Sequence, residues 1–206
     1  MGRTARFTGL SILTVSLALA LPFRAVPAAV ENASGQVRIV EGVPFPERHE
    51  GTGISLRLQN AALLRYKVVF RGYVVGLYLP DGADPGSALG KVPKRLEFQY
   101  FWKIPGPAFA DAGEEILARN VDAQTLASLR ERLERIRQAY RDVKPGDRYA
   151  LTYRPGSGTE LSYNGAPLLV VEGDDFASAY FSIWLGPRPL DEGLKKSLLR
   201  KGQEIP

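Results

Sequence analysis

The chain has 206 residues, of which 45% are hydrophobic and 24% charged, and no repeat of fixed period, which indicates one globular domain with a sizeable core. It contains no cysteine and one histidine, which excludes disulfides, thiolate nucleophiles, Cys-ligated metal clusters and His-pair metal motifs. The formal net charge is +5, but three arginines lie in the first 28 residues, where there is no acid, and the remaining excess is too small to indicate a nucleic-acid partner.

The first residues have the pattern of an export signal. Arg3 and Arg6 precede an uncharged, largely apolar stretch at residues 7–23, and small residues follow at 25–29. Basic, apolar and small-residue segments in this order are typical of a secretory signal peptide. The sequence therefore predicts cleavage after Ala28.

A membrane anchor is the alternative for this segment. The apolar stretch is shorter than the ~20 residues that a spanning helix needs, and Pro22 and Arg24 close it. We therefore expect a signal peptide at residues 1–28 and one exported domain at 29–206. The protein would then be periplasmic or secreted, with no stable membrane span.

The first part of the exported domain is rich in β-strand signals. Alternating apolar residues, or runs of β-branched and aromatic residues, predict strands at 36–40, 54–58, 63–79 and 95–102. The third of these segments is expected to be two strands joined by a turn at Arg71-Gly72. Residues 43–46 contain two prolines and are predicted to be a link, and His49 is expected to be a solvated loop residue.

The middle of the chain changes to helical spacing. Apolar residues recur every three or four positions, at Leu126, Leu129, Leu133, Ile136 and Tyr140. This spacing predicts an amphipathic helix, and a shorter helix is expected before it at 107–119. The five arginines between residues 130 and 141 would form either an anion-binding surface or a solvated face. Glutamates one helical turn from two of them favour the solvated face.

Strands return after these helices. They are predicted at 148–153, 159–163 and 168–171, with an Asn-Gly hairpin turn at 164–165. A helix is predicted at 176–185, capped by Gly173, Asp174 and Asp175, and a last helix at 190–200. The adjacent carboxylates are interpreted as capping residues rather than as a catalytic pair. Tight hairpins imply antiparallel pairing, so we expect an α+β fold in which helices pack on one face of a large antiparallel sheet.

An ordered set of short motifs resembles the chalcone isomerase family, in particular its bacterial chalcone-isomerase-like branch. The motifs are VEGVPFP at 40–46, LLR at 63–65, YVVGLYL at 73–79, GT at 158–159, NG at 164–165 and DF at 175–176. The resemblance implies an open-faced β-sandwich with a ligand cleft between sheet and helices. It also implies that neither a cofactor nor a metal takes part. Plant members of the family close a flavanone ring without a cofactor, and other members bind fatty acids.

The resemblance assigns a ligand-binding role to Arg65 and Tyr73. Arg65 matches the family arginine, and Tyr73 falls where the enzymes have a threonine and the fatty-acid-binding members a tyrosine. An arginine can hold a carboxylate bidentately, and a phenol can add a third hydrogen bond. If the two side chains point into one cleft, they would clamp an anionic head group; the alternative is that Arg65 lies on an exposed strand face.

The other family positions carry apolar residues in this chain. Phe109 matches the catalytic tyrosine, Ile116 the asparagine, and Ile183 a polar position before the last helix, although an offset of one would select Ser182. Phenylalanine and isoleucine cannot donate hydrogen bonds to a developing enolate. The three residues are therefore expected to contact a ligand without catalysing its reaction.

Three functions follow from these residues. The first is a monomeric, non-catalytic binding protein for a fatty acid or other apolar carboxylate. The second is a cofactor-free intramolecular lyase or isomerase that acts on a chalcone-like or enone substrate with Arg65 as the electrophile. The third is an envelope or assembly protein with an empty cleft.

Overall fold

An antiparallel sheet organises the part of the chain that the computed structural model describes, which is residues 35–51, 53–66 and 70–201. The predicted signal segment at 1–28 lies outside these residues. Seven of the described strands pair in chain order as an antiparallel meander. They are β3 (Arg48–Gly51), β4 (Ile54–Tyr66), β5 (Phe70–Leu79), β6 (Lys94–Tyr100), β7 (Arg148–Arg154), β8 (Gly158–Tyr163) and β9 (Ala166–Val171), and the two strands before them, β1 (Val37–Val40) and β2 (Val43–Pro46), form a separate hairpin.

The helices lie between and after these strands. They are α1 (Gly106–Asn120), α2 (Ala123–Ala139), α3 (Asp174–Leu185) and α4 (Glu192–Leu198). The start of α2 is fixed by Asp122, whose carboxylate accepts a hydrogen bond from the Thr125 N–H at 2.7 Å. Among the described residues, no helix is both long and apolar enough to cross a membrane.

Two hydrophobic cores lie on the two faces of the sheet. The larger core joins one face to α1, α2, α3 and α4. The smaller core places Val43 and Phe45 of the β1–β2 hairpin against the other face. Gly76 of β5 permits this contact, because a Cβ atom there would lie 3.0 Å from the Phe45 ring. The predicted α+β fold, a large antiparallel sheet with its helices on one face, is confirmed.

Two local predictions for the first strands are wrong. Residues 43–46 form a strand rather than a link, because Pro44 and Pro46 lie in a hairpin outside the main sheet where a missing N–H is tolerated. His49 is half-buried in β3 and packs edge-on against Tyr78, with 6.4 Å between the ring centroids. Burial, followed by the charge of Arg95, lowers the pKa of His49.

The predicted turn at Arg71-Gly72 is also misplaced. Strand β4 continues to residue 66 and β5 begins at residue 70, so Arg71 and Gly72 lie within β5. Leu64 pairs with Tyr73 whereas Arg65 pairs with Arg71, which leaves Gly72 as the extra residue of a β-bulge. The bulge lies at the end of the sheet where the predicted site residues occur.

The predicted cap of the helix at 176–185, residues 173–175, is correct in part. The N-cap of α3 is Gly173, with φ of 103°, and both aspartates lie inside the first helical turn. Asp174 accepts a hydrogen bond from the Tyr153 hydroxyl at 2.7 Å. Asp175 forms a bidentate pair with Arg132 of α2, at 2.6 and 2.8 Å. The carboxylates therefore attach α3 to its neighbours.

Candidate functional site

The described residues contain a cavity of about 620 Å³ between the sheet and the helices. Strands β4 to β8 form its floor, and α1 and α3 form its roof. Its volume lies within the ~300–1,000 Å³ that is usual for small-molecule sites. Two exposed apolar side chains, Trp102 and Leu190, are also part of its wall. The cavity therefore has the size and position of a ligand pocket.

Aromatic side chains supply the polar side-chain atoms of this pocket. Its wall includes five phenols and two indoles, from Tyr73, Tyr100, Tyr140, Tyr149, Tyr180, Trp102 and Trp184. The remaining wall residues are glycine or have apolar side chains, and among the described residues no charged side chain lines the pocket. A site of this composition can bind an apolar molecule, but it holds no cation that would neutralise a buried anion.

The pairing of strands brings the phenols together. Tyr73 of β5 lies opposite Tyr100 of β6, and Phe98 lies opposite Tyr149 of β7. Cross-strand partners project from the same face of a sheet. The Tyr73 and Tyr100 rings consequently meet edge-on, with 5.6 Å between their centroids.

The phenol hydroxyls differ in their hydrogen bonds. The Tyr149 hydroxyl is fully used, since it donates to the Arg141 carbonyl at 2.9 Å and accepts from the Arg141 N–H at 2.7 Å. The Tyr140 and Tyr180 hydroxyls bond to each other at 2.7 Å. The Tyr73 hydroxyl accepts the Trp184 indole N–H at 3.0 Å.

Burial keeps these phenols protonated. It is the largest cause that raises the pKa of Tyr73, Tyr100, Tyr140 and Tyr180 above the ordinary tyrosine value. The pKa of Tyr100 is raised further by the neighbouring phenols of Tyr73, Tyr140 and Tyr149. At physiological pH the hydroxyls are therefore hydrogen-bond donors, and they cannot serve as phenolate bases.

Arg65 does not reach this pocket. Leu64 lines the pocket, and the next residue, Arg65, projects to the opposite face of the sheet, where its guanidinium lies 3.8 Å from the carboxylate of Glu41. About half of the Arg65 side chain is exposed. The expectation that Arg65 and Tyr73 converge on one head group is therefore wrong. The physical reason is the bulge at Gly72, since Tyr73 pairs with Leu64 and not with Arg65.

The other predicted contact residues do line the pocket. Phe109 and Ile116 project from α1, and Ile183 projects from α3. Ser182, the alternative to Ile183, is not part of the wall, and its hydroxyl donates to the Ala179 carbonyl within the helix at 2.5 Å. The structure thus brings together Tyr73 and the three apolar residues and leaves Arg65 apart.

Sequence reasoning missed the tyrosines that surround Tyr73. Alternation in the strand at 95–102 predicts that Tyr100 points inward, and helical spacing predicts the same of Tyr140, but neither pattern marks a site residue. Both predictions of orientation hold, because each side chain lies in the pocket wall. The available signal was the unusual number of tyrosines at inward positions, where leucine or valine would fill a core without a hydroxyl.

Comparisons with known proteins agree with this fold. The family described as chalcone isomerase-like matches residues 37–200. The fatty-acid binding protein of Arabidopsis thaliana is similar in structure, with a TM-score of 0.63 and 14% sequence identity over 80% of this chain and 96% of that chain. Identity this low supports a common fold only. A search of curated proteins found no significant match.

Proposed function

Since the chain belongs to the chalcone isomerase-like family, we propose that it is a non-catalytic binding protein that holds a fatty acid or other apolar carboxylate in the pocket. The observation that carries this proposal is the cavity of about 620 Å³ whose described wall is aromatic and aliphatic, without a charged side chain. A long acyl chain can fill such a cavity and bury its apolar surface, which contributes roughly 0.8 kcal/mol per methylene.

The wall chemistry favours binding over catalysis. A cofactor-free lyase would need an electrophile beside the reacting oxygen, and Arg65, the candidate for that role, lies on the other face of the sheet. Phe109 and Ile116 present only hydrocarbon to the pocket. Incubation with chalcones and simple enones separates the two functions, and we expect neither ring closure nor movement of a double bond.

Native mass spectrometry tests whether the pocket carries a ligand. The protein, purified without detergent, is expected to show a bound acyl species that mild lipid extraction removes. Extracted protein should then bind a fluorescent fatty-acid analogue with one-to-one stoichiometry. If neither species binds, the third function, a protein with an empty cleft, is supported instead.

A variant that fills part of the cavity tests whether the fatty-acid analogue binds there. Gly113 lies in the middle of α1, and a Cβ atom there would meet the Ile183 side chain at 3.5 Å, which is ordinary van der Waals contact. Gly113→Leu adds three more carbons to the cavity while replacing a poor helix former. We expect at least a tenfold loss of affinity, with stability retained.

The matched control is Ala127→Leu. Ala127 is exposed on α2 and is not part of the pocket wall, so the same side chain is introduced in a helix at a remote position. Affinity in this control should equal that of the unmodified protein. Equal affinities in the control and in Gly113→Leu would show that the analogue binds elsewhere.

We also propose that the protein is exported and works in the periplasm or outside the cell. The proposal rests on the basic, apolar and small-residue segments of the first 28 residues. Amino-terminal sequencing of the exported protein should find a mature terminus near Ala29. An intact Met1 in a membrane fraction would support the anchor instead.

A further inference from the structure

The pocket contains hydroxyl protons that no described residue accepts. Tyr100 lines the pocket with 5% of its surface exposed, and its hydroxyl forms no hydrogen bond with another described side chain. The Tyr73 hydroxyl accepts from Trp184 but has no described acceptor for its own proton. In the Tyr140–Tyr180 pair one hydroxyl donates to the other, which leaves one further proton. Each phenol hydroxyl carries one proton that it can donate.

Apart from the phenol oxygens, the described side chains of the wall provide no acceptor and no charge. The Tyr149 hydroxyl is used by the Arg141 backbone, and the described side chains in the wall other than the phenols are hydrocarbons or indoles. A phenol proton that no protein group accepts is free to be donated to a ligand oxygen. The pocket is thus complementary to a ligand group that accepts hydrogen bonds.

The charge of that group follows from the surroundings. A buried anion must recover its lost hydration from a nearby cation or from several strong hydrogen bonds. No described side chain in the wall supplies a cation, and burial disfavours the ionised form of four phenols there. A neutral carbonyl oxygen accepts from the phenols without this penalty.

We propose that the pocket binds the polar head of its ligand in an uncharged state, with Tyr100 as the principal donor to a carbonyl oxygen. The ligand class is a long-chain acyl ester or ketone, or a fatty acid in its protonated form. This inference rests on the proposed function, because it assumes that an apolar chain occupies the pocket. It adds that the head group of the ligand is uncharged and lies buried in the pocket.

Affinities for lauric acid, methyl laurate and dodecane test the head-group chemistry. We expect methyl laurate to bind more tightly than dodecane, because the carbonyl accepts from Tyr100, and more tightly than lauric acid at neutral pH. Lauric acid should bind more tightly as the pH falls through its own pKa, whereas the ester should not change. Tighter binding of the acid than of the ester at neutral pH would overturn the proposal.

Removal of one hydroxyl tests the residue. Tyr100→Phe keeps the ring, which packs at 5.2 Å from Phe109 and 5.6 Å from Tyr73 between centroids. It should weaken binding of methyl laurate by about 2- to 10-fold, the range for one neutral hydrogen bond, and leave dodecane unchanged. The control is Tyr78→Phe, which removes a buried hydroxyl that also lacks a described partner but belongs to the core on the opposite face.

The outcomes separate this inference from the proposed function. If neither the acid, the ester nor dodecane binds, the proposed function fails. If all three bind with equal affinity, and Tyr100→Phe behaves like Tyr78→Phe, an apolar chain occupies the pocket but its head lies in water at the mouth. That result would overturn the inference alone.

Discussion

A buried lysine should give this protein an alkaline rise in stability. Lys94, the first residue of β6, is fully buried in the helix-facing core, where its ammonium lies 4.6 Å from the Tyr153 ring centroid and 5.3 Å from that of Phe181. The ammonium donates to the Gly90 carbonyl at 2.6 Å. Burial lowers the pKa of Lys94 from 10.5 to about 8, against the opposing effect of the Asp174 carboxylate.

The size of the effect follows from this pKa. Each unit corresponds to about 1.4 kcal/mol, so charging Lys94 in the folded protein costs roughly 3 kcal/mol relative to the unfolded chain. Between pH 8 and 10.5 the unfolded chain binds more protons than the folded protein, and stability therefore rises with pH. Above about pH 10 the buried tyrosines act in the opposite direction, because unfolding allows them to ionise.

Urea unfolding at about pH 7.5 and pH 9.5 measures this rise. The unmodified protein should gain on the order of 2 kcal/mol in the free energy of unfolding over that interval, and Lys94→Met should gain little. Lys196→Met is the control, because Lys196 is exposed on α4 and its loss should leave the gain intact. Equal gains in the unmodified protein and in Lys94→Met would refute the assignment to Lys94.

Three further substitutions give distinct results. Gly158→Ala should lower the free energy of unfolding in urea by about 1–3 kcal/mol or more, because φ of Gly158 is +96° and the new Cβ would collide with the Val171 carbonyl. An unchanged urea midpoint would contradict this. Arg65→Ala should change the affinity for lauric acid less than about twofold, because the loss of even one hydrogen bond between neutral groups at the head would weaken binding by at least that factor. A tenfold loss in a binding titration would show that Arg65 contacts the ligand. Tyr73→Phe should destabilise the protein by about 1–3 kcal/mol in thermal unfolding, because the Trp184 N–H loses its acceptor, and equal stability would show that this N–H finds another partner.

The sequence determined the elements whose signals are local. Alternation in 95–102 places Phe98 and Tyr100 on one face, and both lie in the pocket wall. The Asn-Gly pair at 164–165 forms the turn between β8 and β9, with φ of 49° and 82°. These features depend on periodicity and on backbone preferences of neighbouring residues, which a single sequence contains.

Only the tertiary structure decided which side chains share the site. One additional residue in a strand reverses the face of everything beyond it, so the bulge at Gly72 separates Arg65 from Tyr73 although the residues around both were correctly predicted as strand. The pocket itself requires residues distant in sequence, such as the Tyr140 and Tyr180 hydroxyls that meet across the helices. Local periodicity indicates which way a side chain points within its element, but the hydrogen bonds and charge of a cavity arise from packing between elements.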